Sequence, residues 1–261
     1  AFLLTFGATG AILIAVPAAA VHRLPALIAP LAAMLAASAA AEAALFPVAA
    51  FVFSRVTVAG LVLNFAAIPL MAVTQIAGMV LVPAALLSST LAGAVGWIAS
   101  AGAEGLVRSA DLVRFAPAVT WRVAPPAWGA IIVYYCGLVA IWRSRRHRLA
   151  ASACAVLAAL WILAEPWRIV TTRGDGRLHV TFVDVGQGDA AFIRFPRGAT
   201  LVVDAGGLPG GSSFDVGDRV VGPVLREAGV HRLRSLALTH GDADHVGGAL
   251  SVVQEFRPLD I

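Results

Sequence analysis

The sequence predicts a multi-pass α-helical membrane domain over residues 1–170, followed by a smaller α/β domain over residues 171–261. Composition predicts the first part, because 59% of the 261 residues are hydrophobic and only 13% are charged, whereas a soluble domain carries about 25% charged residues. A change of character predicts the second part. Short β-rich runs replace the long apolar stretches, and eleven of the fifteen acidic residues lie after residue 173.

The first two apolar stretches are residues 2–21 and residues 24–54. The first has no charge and is about one bilayer long at about 1.5 Å per residue. The second is interrupted by Glu42 and Pro47. An acid inside a membrane span is costly and often functional. Alternatively, Glu42 lies in a hydrated break of the helix at Pro47, and the sequence does not choose between these interpretations.

Residues 56–103 contain no charge at all. One helix of that length would be about 72 Å long, more than twice the thickness of the hydrocarbon core, so the stretch must break. We expect a span over residues 57–86, with Pro69 and Pro83 as candidate kinks. In residues 90–115 the apolar side chains recur at steps of three and four. This spacing indicates an amphipathic helix at the membrane interface, with a second span as the alternative.

Two further spans are predicted over residues 127–142 and 149–164. The loop between them reads RSRRHR (Arg143–Arg148). By the positive-inside rule this loop is cytoplasmic, so the residues after 165 lie on the outer face of the membrane. A nucleic-acid-binding patch is the alternative. The high isoelectric point is no argument for it, because the basic excess lies in the membrane part.

The C-terminal part alternates short strands with helices, which predicts a mixed α/β layer with helices packed on a sheet. Strands are expected at residues 178–184, 190–195, 200–204 and 235–239, and helices at residues 217–228 and 247–256. A hairpin turn, PRGA, joins the second and third strands.

Four polar side chains follow the last predicted strand: His240, Asp242, Asp244 and His245. The end of a buried strand is held still by its sheet, so ligands in the following loop can converge on one point. Imidazole and carboxylate groups together suit divalent ions such as Zn²⁺ or Mn²⁺. The alternative is that an aspartate caps a helix and the histidines lie at the surface. The grouping of all four residues favours a metal site.

This loop, H-x-D-x-D-H, resembles the H-x-H-x-D-H signature of the metallo-β-lactamase superfamily, with Asp242 where the second histidine usually stands. Residues 182–193 (FVDVGQGDAAFI) and 201–207 (LVVDAGG) resemble the ComEC branch, the DNA-internalisation competence proteins. Residues 53–71, with Asn64 and Pro69, resemble the membrane domain of that branch. The resemblance covers nearly the whole chain, and the order of the two parts is more specific than any one motif.

The resemblance implies the N-terminal part of an αββα domain that uses two divalent ions, Zn²⁺ or Mn²⁺. His240 and Asp242 would hold the first ion, and Asp244 with His245 the second, which makes this last pair the catalytic residues. Asp204 would support the ligands from behind, and Asp184 and Asp189 would shape the rim. The remaining ligands of the superfamily are expected beyond Ile261, so we expect these 261 residues alone to be inactive.

The resemblance also implies a function. The protein would reside in the bacterial inner membrane with its C-terminal domain on the outer face, and it would take up DNA in natural transformation, with an external metal-dependent phosphodiesterase. Its partners would be DNA, the lipid bilayer, and other competence proteins or further copies of itself. Two alternatives remain: a membrane-anchored hydrolase of another ester, and a lactamase-type fold without catalysis that serves as a channel scaffold.

Overall fold

The computed structural model describes residues 2–111, 119–164, 174–208 and 214–261. The chain divides into two compact units, Ala1–Val48 with Val56–Trp121, and Ala49–Arg55 with Arg122–Ile261. The first unit holds long apolar helices. The second holds a helical hairpin and a small four-stranded sheet with its own core.

Four long helices dominate the N-terminal part: α1 (Phe2–Ala18), α2 (Ala29–Phe53), α3 (Gly60–Leu87) and α4 (Ser89–Asp111). Within the described residues, these four are long and apolar enough to cross a membrane. Helix α2 runs without interruption through Glu42 and Pro47. Of the two alternatives drawn from the sequence, the structure therefore favours the acid inside a continuous apolar helix over a break at Pro47.

Helices α3 and α4 form a hairpin whose contact is made by small residues. Gly102 lies against Thr74 and the backbone of Leu70, and Gly105 lies against the side chain of Leu70, so a larger residue would not fit at Gly102 without a shift. Glycines at such positions let two helices approach closely in a membrane. Because α4 packs along α3 rather than apart from it, the structure favours the spanning alternative for α4. The end of that predicted helix, residues 112–115, lies outside the described residues.

The start of α3 is tied to α2 by polar groups. The carboxylate of Glu42 accepts the backbone N–H groups of Gly60 and Leu61, and Asn64 Nδ2 donates to Ser38 Oγ at 2.9 Å. The first N–H groups of a helix have no partner within the helix, and in lipid they find no water. Glu42 therefore has a structural role: its side-chain oxygens cap the neighbouring helix.

The second unit contains the hairpin of α5 (Trp128–Arg143) and α6 (Arg148–Ala164). Gly137 of α5 lies against the backbone and side chain of Ala155 in α6. Both helices form where the sequence predicts them, but with 16 and 17 residues they are among the shorter apolar helices, so their role as membrane spans stays a prediction. Two short strands, β1 (Arg55–Thr57) and β2 (Thr120–Arg122), pair with each other, and the N–H of Val123 donates to the carbonyl of Ser54 at 3.1 Å.

Residues 174–261, here called the sheet domain, contain a four-stranded sheet in the order β3-β4-β5-β6. Its strands are β3 (His179–Phe182), β4 (Ala191–Arg194), β5 (Thr200–Val203) and β6 (Ser235–Ala237). The first three strands are antiparallel neighbours, whereas β5 and β6 run parallel, with Val202 opposite Leu236. All four strands lie within the runs from which the sequence predicts them.

One face of this sheet is covered by helices. A π-helical turn (Gly217–Val221) leads into α7 (Gly222–Glu227), and α8 (Ala243–Val246) and α9 (Ala249–Phe256) follow β6. Val202 and Leu236 of the sheet share a buried core with Leu225, Val252 and Phe256 of the helices. The predicted α/β layer is confirmed, although the predicted helix over residues 217–228 begins as a π-helical turn.

Candidate metal centre

The candidate site lies at one edge of the sheet, where the parallel strands β5 and β6 end side by side. Asp204 follows β5 directly, and its N–H donates to the carbonyl of Ala237, the last residue of β6, at 2.8 Å. His240 and Asp242 lie in the loop after β6, and Asp244 and His245 lie in α8. The sheet therefore brings Asp204 to the loop across 35 or more residues of sequence. We call residues 238–248 the metal loop.

Asp204 is the organising residue of the site. It is only 3% exposed, and its backbone adopts a left-handed conformation with φ 58°, which aspartate tolerates better than most residues. Its carboxylate accepts the N–H of Thr239 at 2.8 Å, the hydroxyl of Thr239 at 2.7 Å, and Nδ1 of His245 at 2.9 Å. One buried carboxylate thus holds both ends of the metal loop.

These contacts shift two pKa values in opposite directions. Burial acts to raise the pKa of Asp204, but the hydrogen bonds from Thr239 and His245 outweigh it and hold that pKa below its ordinary value. The hydrogen bond to Asp204 raises the pKa of His245, and the nearby charges of Asp244 and Asp189 add to that rise. Asp204 is therefore ionised near neutral pH and acts only as an acceptor.

The contacts of Asp204 also determine which nitrogen of each neutral histidine carries the proton. The Thr239 hydroxyl has one hydrogen, which it must donate to the carboxylate. It therefore accepts the proton on Nδ1 of His240, 2.8 Å away. His245 likewise donates from Nδ1 to Asp204. Both histidines consequently keep the lone pair on Nε2 free, the tautomer that metal ligation needs.

The free nitrogens face carboxylates of the same loop. Nε2 of His240 lies 3.3 Å from Oδ2 of Asp242, and Nε2 of His245 lies 4.0 Å from Oδ2 of Asp244. The two imidazole rings are 3.9 Å apart. In the neutral histidines these nitrogens offer lone pairs beside carboxylate oxygens, and a divalent cation can bind both kinds of donor. The donor set therefore fits a divalent ion, although within the described ranges no three His, Cys, Asp or Glu side chains already form a metal-binding group.

Helix capping does not account for the aspartates. Asp242 is the residue before α8, but its side chain makes no capping hydrogen bond to that helix. Its carboxylate points to His240 instead, and 77% of the side chain is exposed. The capping alternative drawn from the sequence is therefore not what the structure shows.

The two rim aspartates differ in their surroundings. The loop Gly186–Asp189 contacts the metal loop, because a Cβ on Gly188 would overlap the backbone of Asp244, and the carbonyl of Asp189 accepts the N–H of Gly206 at 2.9 Å. Asp189 is close enough to help raise the pKa of His245. Asp184 is exposed, and among the described residues its carboxylate accepts the N–H of Gly186 at 3.2 Å. Of the two, Asp189 has the closer relation to the site.

Sequence reasoning missed Thr239. Its N–H and hydroxyl both bind Asp204, and its hydroxyl also orients His240. Two features of Thr239 could have indicated this role. It directly precedes His240 at the end of a predicted strand, and its hydroxyl can donate and accept a hydrogen bond at the same time.

The fold and site together define a class: a membrane protein with several apolar helices, followed by a small sheet domain with a histidine–aspartate loop. The family model described as "Competence protein" matches residues 1–148. That is more than half of the chain, and the chain belongs to this family. The model described as "Metallo-beta-lactamase superfamily" matches residues 183–261, and this superfamily implies the use of divalent metal. A competence domain followed by a lactamase domain is the ComEC-type architecture.

A curated relative agrees with this assignment. The chain is 35% identical over 107 residues to "ComE operon protein 3" of Bacillus subtilis (strain 168), an alignment that covers 37% of this chain and 13% of the relative. The chain thus spans a small part of that protein's length. No solved structure matches the chain. The predicted domain boundary between residues 170 and 171 lies outside the described residues and stays a prediction.

Proposed function

We propose that this protein takes up DNA across the bacterial inner membrane in natural competence. Membership of the Competence family supports the transport role, and four long apolar helices suit a conducting part better than a simple anchor. The single observation that carries the proposal is the joint order of the two matches, a competence membrane part followed by a lactamase-type domain. Association with DNA and with the membrane follows from the family. Other competence proteins, or further copies of this chain, are proposed as partners.

The sheet domain would act as a metal-dependent phosphodiesterase on DNA at the outer face. His240 and Asp242 would hold one divalent ion, and Asp244 with His245 a second, with Zn²⁺ or Mn²⁺ as candidates. When bound, such ions lower the pKa of water towards neutrality and neutralise charge on phosphate oxygens. Asp244 and His245 are the proposed catalytic pair.

The residues around the loop prepare this chemistry. Asp204 and Thr239 fix both histidines in the tautomer that leaves Nε2 free, and so no rearrangement of protons is needed before a cation binds. Asp204 also adds a negative charge behind His245, which makes that imidazole a stronger donor. Close backbone contacts at Gly188 and at Gly207 leave the metal loop little freedom to move.

Topology is part of the proposal. The arginines of the loop Arg143–Arg148 support a cytoplasmic position for that loop, which puts the sheet domain outside. A reporter enzyme that works only in the cytoplasm, fused after residue 170, should be inactive, and the same reporter fused after residue 145 should be active. Activity after residue 170 would contradict the proposed orientation.

Uptake is tested in a strain that lacks the gene. The full-length protein should restore entry of labelled DNA, and a variant with the metal loop disabled by Asp244→Ala separates transport from hydrolysis. Entry survives that change if the nuclease only removes the unwanted strand, and fails if strand degradation drives entry. Failure of the unaltered gene to restore uptake, with the protein present in the membrane, would refute the transport role.

A lactamase-type fold that serves as a channel scaffold without catalysis is the alternative proposal. In that case the full-length protein restores uptake, binds no Mn²⁺ and hydrolyses no DNA. Hydrolysis of another ester without DNA uptake would instead indicate a membrane-anchored hydrolase.

A further inference from the structure

Five charged side chains from four separate segments of the chain form one cluster at the helical side of the sheet domain. They are Arg55, Arg122, Asp218, Arg226 and Glu255, here called the arginine latch. All five belong to the second compact unit. Arg55 and Arg122 lie in the segment that matches the Competence family, whereas the other three lie in the segment that matches the lactamase superfamily. The latch therefore joins the two family segments by ion pairs.

Arg122 holds the latch together because it contacts both acids. Its Nη2 lies 2.9 Å from Oδ1 of Asp218, and its Nη1 lies 2.7 Å from Oε2 of Glu255. The planar fork of a guanidinium can serve two carboxylates at once, which a lysine ammonium does less well. Arg55 pairs with the other oxygen of Asp218. Two arginines from the competence segment thus grip the π-helical turn and α9.

The two acids of the latch are largely buried, whereas the side chains of Arg55 and Arg122 are 34% and 42% exposed. The side chains of Asp218 and Glu255 are each 14% exposed, and that of Arg226 is 8% exposed. Arg226 donates to Glu255 at 2.9 Å, while its Nε and Nη2 have no hydrogen-bond partner among the described residues. Breaking one pair in such a cluster leaves an uncompensated charge out of water, so the members depend on one another.

The gripped elements are those that support the metal loop. Next to Asp218, Gly217 lies so close to Gly248 that a Cβ would overlap its carbonyl. Asp215 accepts the N–H of Asp218 at 2.9 Å and also the hydroxyl of Ser251, in the first turn of α9. The π-helical turn and α9 are thus bound to each other beside the end of the metal loop.

We propose that the arginine latch fixes the sheet domain to the part of the competence segment that lies in the same compact unit, residues 49–55 and 122–148. Arg55 and Arg122 are thereby positioning residues for the metal loop. The ion pairs of the latch do not depend on the proposed function, whereas the effect of Arg55 and Arg122 on metal binding rests on it.

The test uses the full-length protein in detergent micelles and compares the double variant Arg55→Gln/Arg122→Gln with the parent by amide hydrogen exchange. Amides of residues 217–227 and 249–256 should exchange at least about tenfold faster in the double variant. The matched control is Arg234→Gln, because Arg234 pairs with Asp260 at 3.8 Å in the same domain while both side chains are mostly exposed. The control should leave exchange unchanged. Equal rates in the parent and the double variant would overturn the latch.

Two further variants keep the test decisive if the double variant folds poorly. Arg55→Gln alone leaves the bridge of Arg122 intact and should give a smaller increase in exchange. Arg122→Lys keeps the positive charge but loses the planar guanidinium, so its amide exchange rates should also lie between those of the parent and those of the double variant. Amide exchange in Arg122→Lys at the same rates as in the parent would overturn the bridging role of Arg122.

A titration with Mn²⁺ alone, followed by electron paramagnetic resonance of the free ion, tests the positioning role. We expect Mn²⁺ binding about threefold or more weaker in the double variant and unchanged in Arg234→Gln. Faster exchange with unchanged Mn²⁺ binding would overturn positioning but leave the proposed metal centre intact. A parent protein that binds no Mn²⁺ would refute the metal centre and positioning together, and the latch would then be judged by exchange alone.

Discussion

Replacing Asp204 by alanine removes the carboxylate that holds both ends of the metal loop. Thr239 loses the acceptor of its N–H and of its hydroxyl, and each donor left without a partner costs about 1 kcal/mol, the low end of the range because Thr239 is exposed. Alanine at the left-handed φ of 58° adds about 1 kcal/mol. We therefore expect the free energy of opening the loop to fall by about 3 kcal/mol.

Amide hydrogen exchange of residues 236–250 in the full-length protein measures this change directly. Because each 1.4 kcal/mol is about a factor of ten, these amides should exchange about 150-fold faster in Asp204→Ala. The matched control is Asp184→Ala. Asp184 is an exposed aspartate with a single backbone contact, and its loss should cost less than about 1 kcal/mol. Exchange in Asp204→Ala within threefold of the parent would refute the organising role of Asp204.

Three further predictions concern other parts of the chain. Glu42→Ala should destabilise the α2–α3 contact by about 1–3 kcal/mol because two N–H groups lose their acceptor, whereas Glu42→Gln keeps an acceptor. Thermal denaturation in micelles measures the melting temperature of each variant. Equal melting temperatures of the two variants would contradict the capping role. At the proposed first metal position, the carboxylate of Asp242 suits Mn²⁺ better than an imidazole does, so the full-length protein should cleave DNA at least as fast with Mn²⁺ as with Zn²⁺. Strict dependence of cleavage on Zn²⁺, unchanged in Asp242→His, would count against this. In the metal-free protein, Asp204 raises the pKa of His245 above 6.5. The stabilisation from this pair is therefore complete below pH 6.5 and is lost as the pH rises through the folded-state pKa. Amide exchange of the metal loop, corrected for intrinsic rates, should become faster over that pH range in the parent, and Asp204→Asn should abolish this pH dependence.

The order of helices and strands was predictable because it depends on local patterns. Uncharged apolar runs predicted α1, α3, α5 and α6, and β-rich runs between glycine turns predicted the sheet. The continuity of α2 was not predictable, because a proline inside a membrane helix is tolerated when neighbouring groups satisfy the freed backbone. The partner of Glu42 is the start of another helix, and no local pattern shows which helix will lie beside it.

The residues of the candidate site were likewise predictable from the sequence only in part. His240, Asp242, Asp244 and His245 lie close together in sequence, so their grouping was visible there. The support from Asp204 came only from the resemblance, and the structure places it by the parallel pairing of β5 with β6. Thr239 and the arginine latch were missed. Two of the latch contacts, Arg55 with Asp218 and Arg122 with Glu255, join residues more than 130 positions apart.

Cleavage of end-labelled DNA by the purified full-length protein tests the central claim most directly, when the parent is compared with Asp244→Ala and with Asp260→Ala. Asp244 belongs to the proposed catalytic pair, whereas Asp260 is an exposed aspartate at the far side of β6. We predict Mn²⁺-dependent cleavage by the parent and by Asp260→Ala, and none by Asp244→Ala, because a pair of ions must stabilise both the attacking and the leaving oxygen. Cleavage by Asp244→Ala at the rate of the parent would contradict the assignment of the metal loop as the active site.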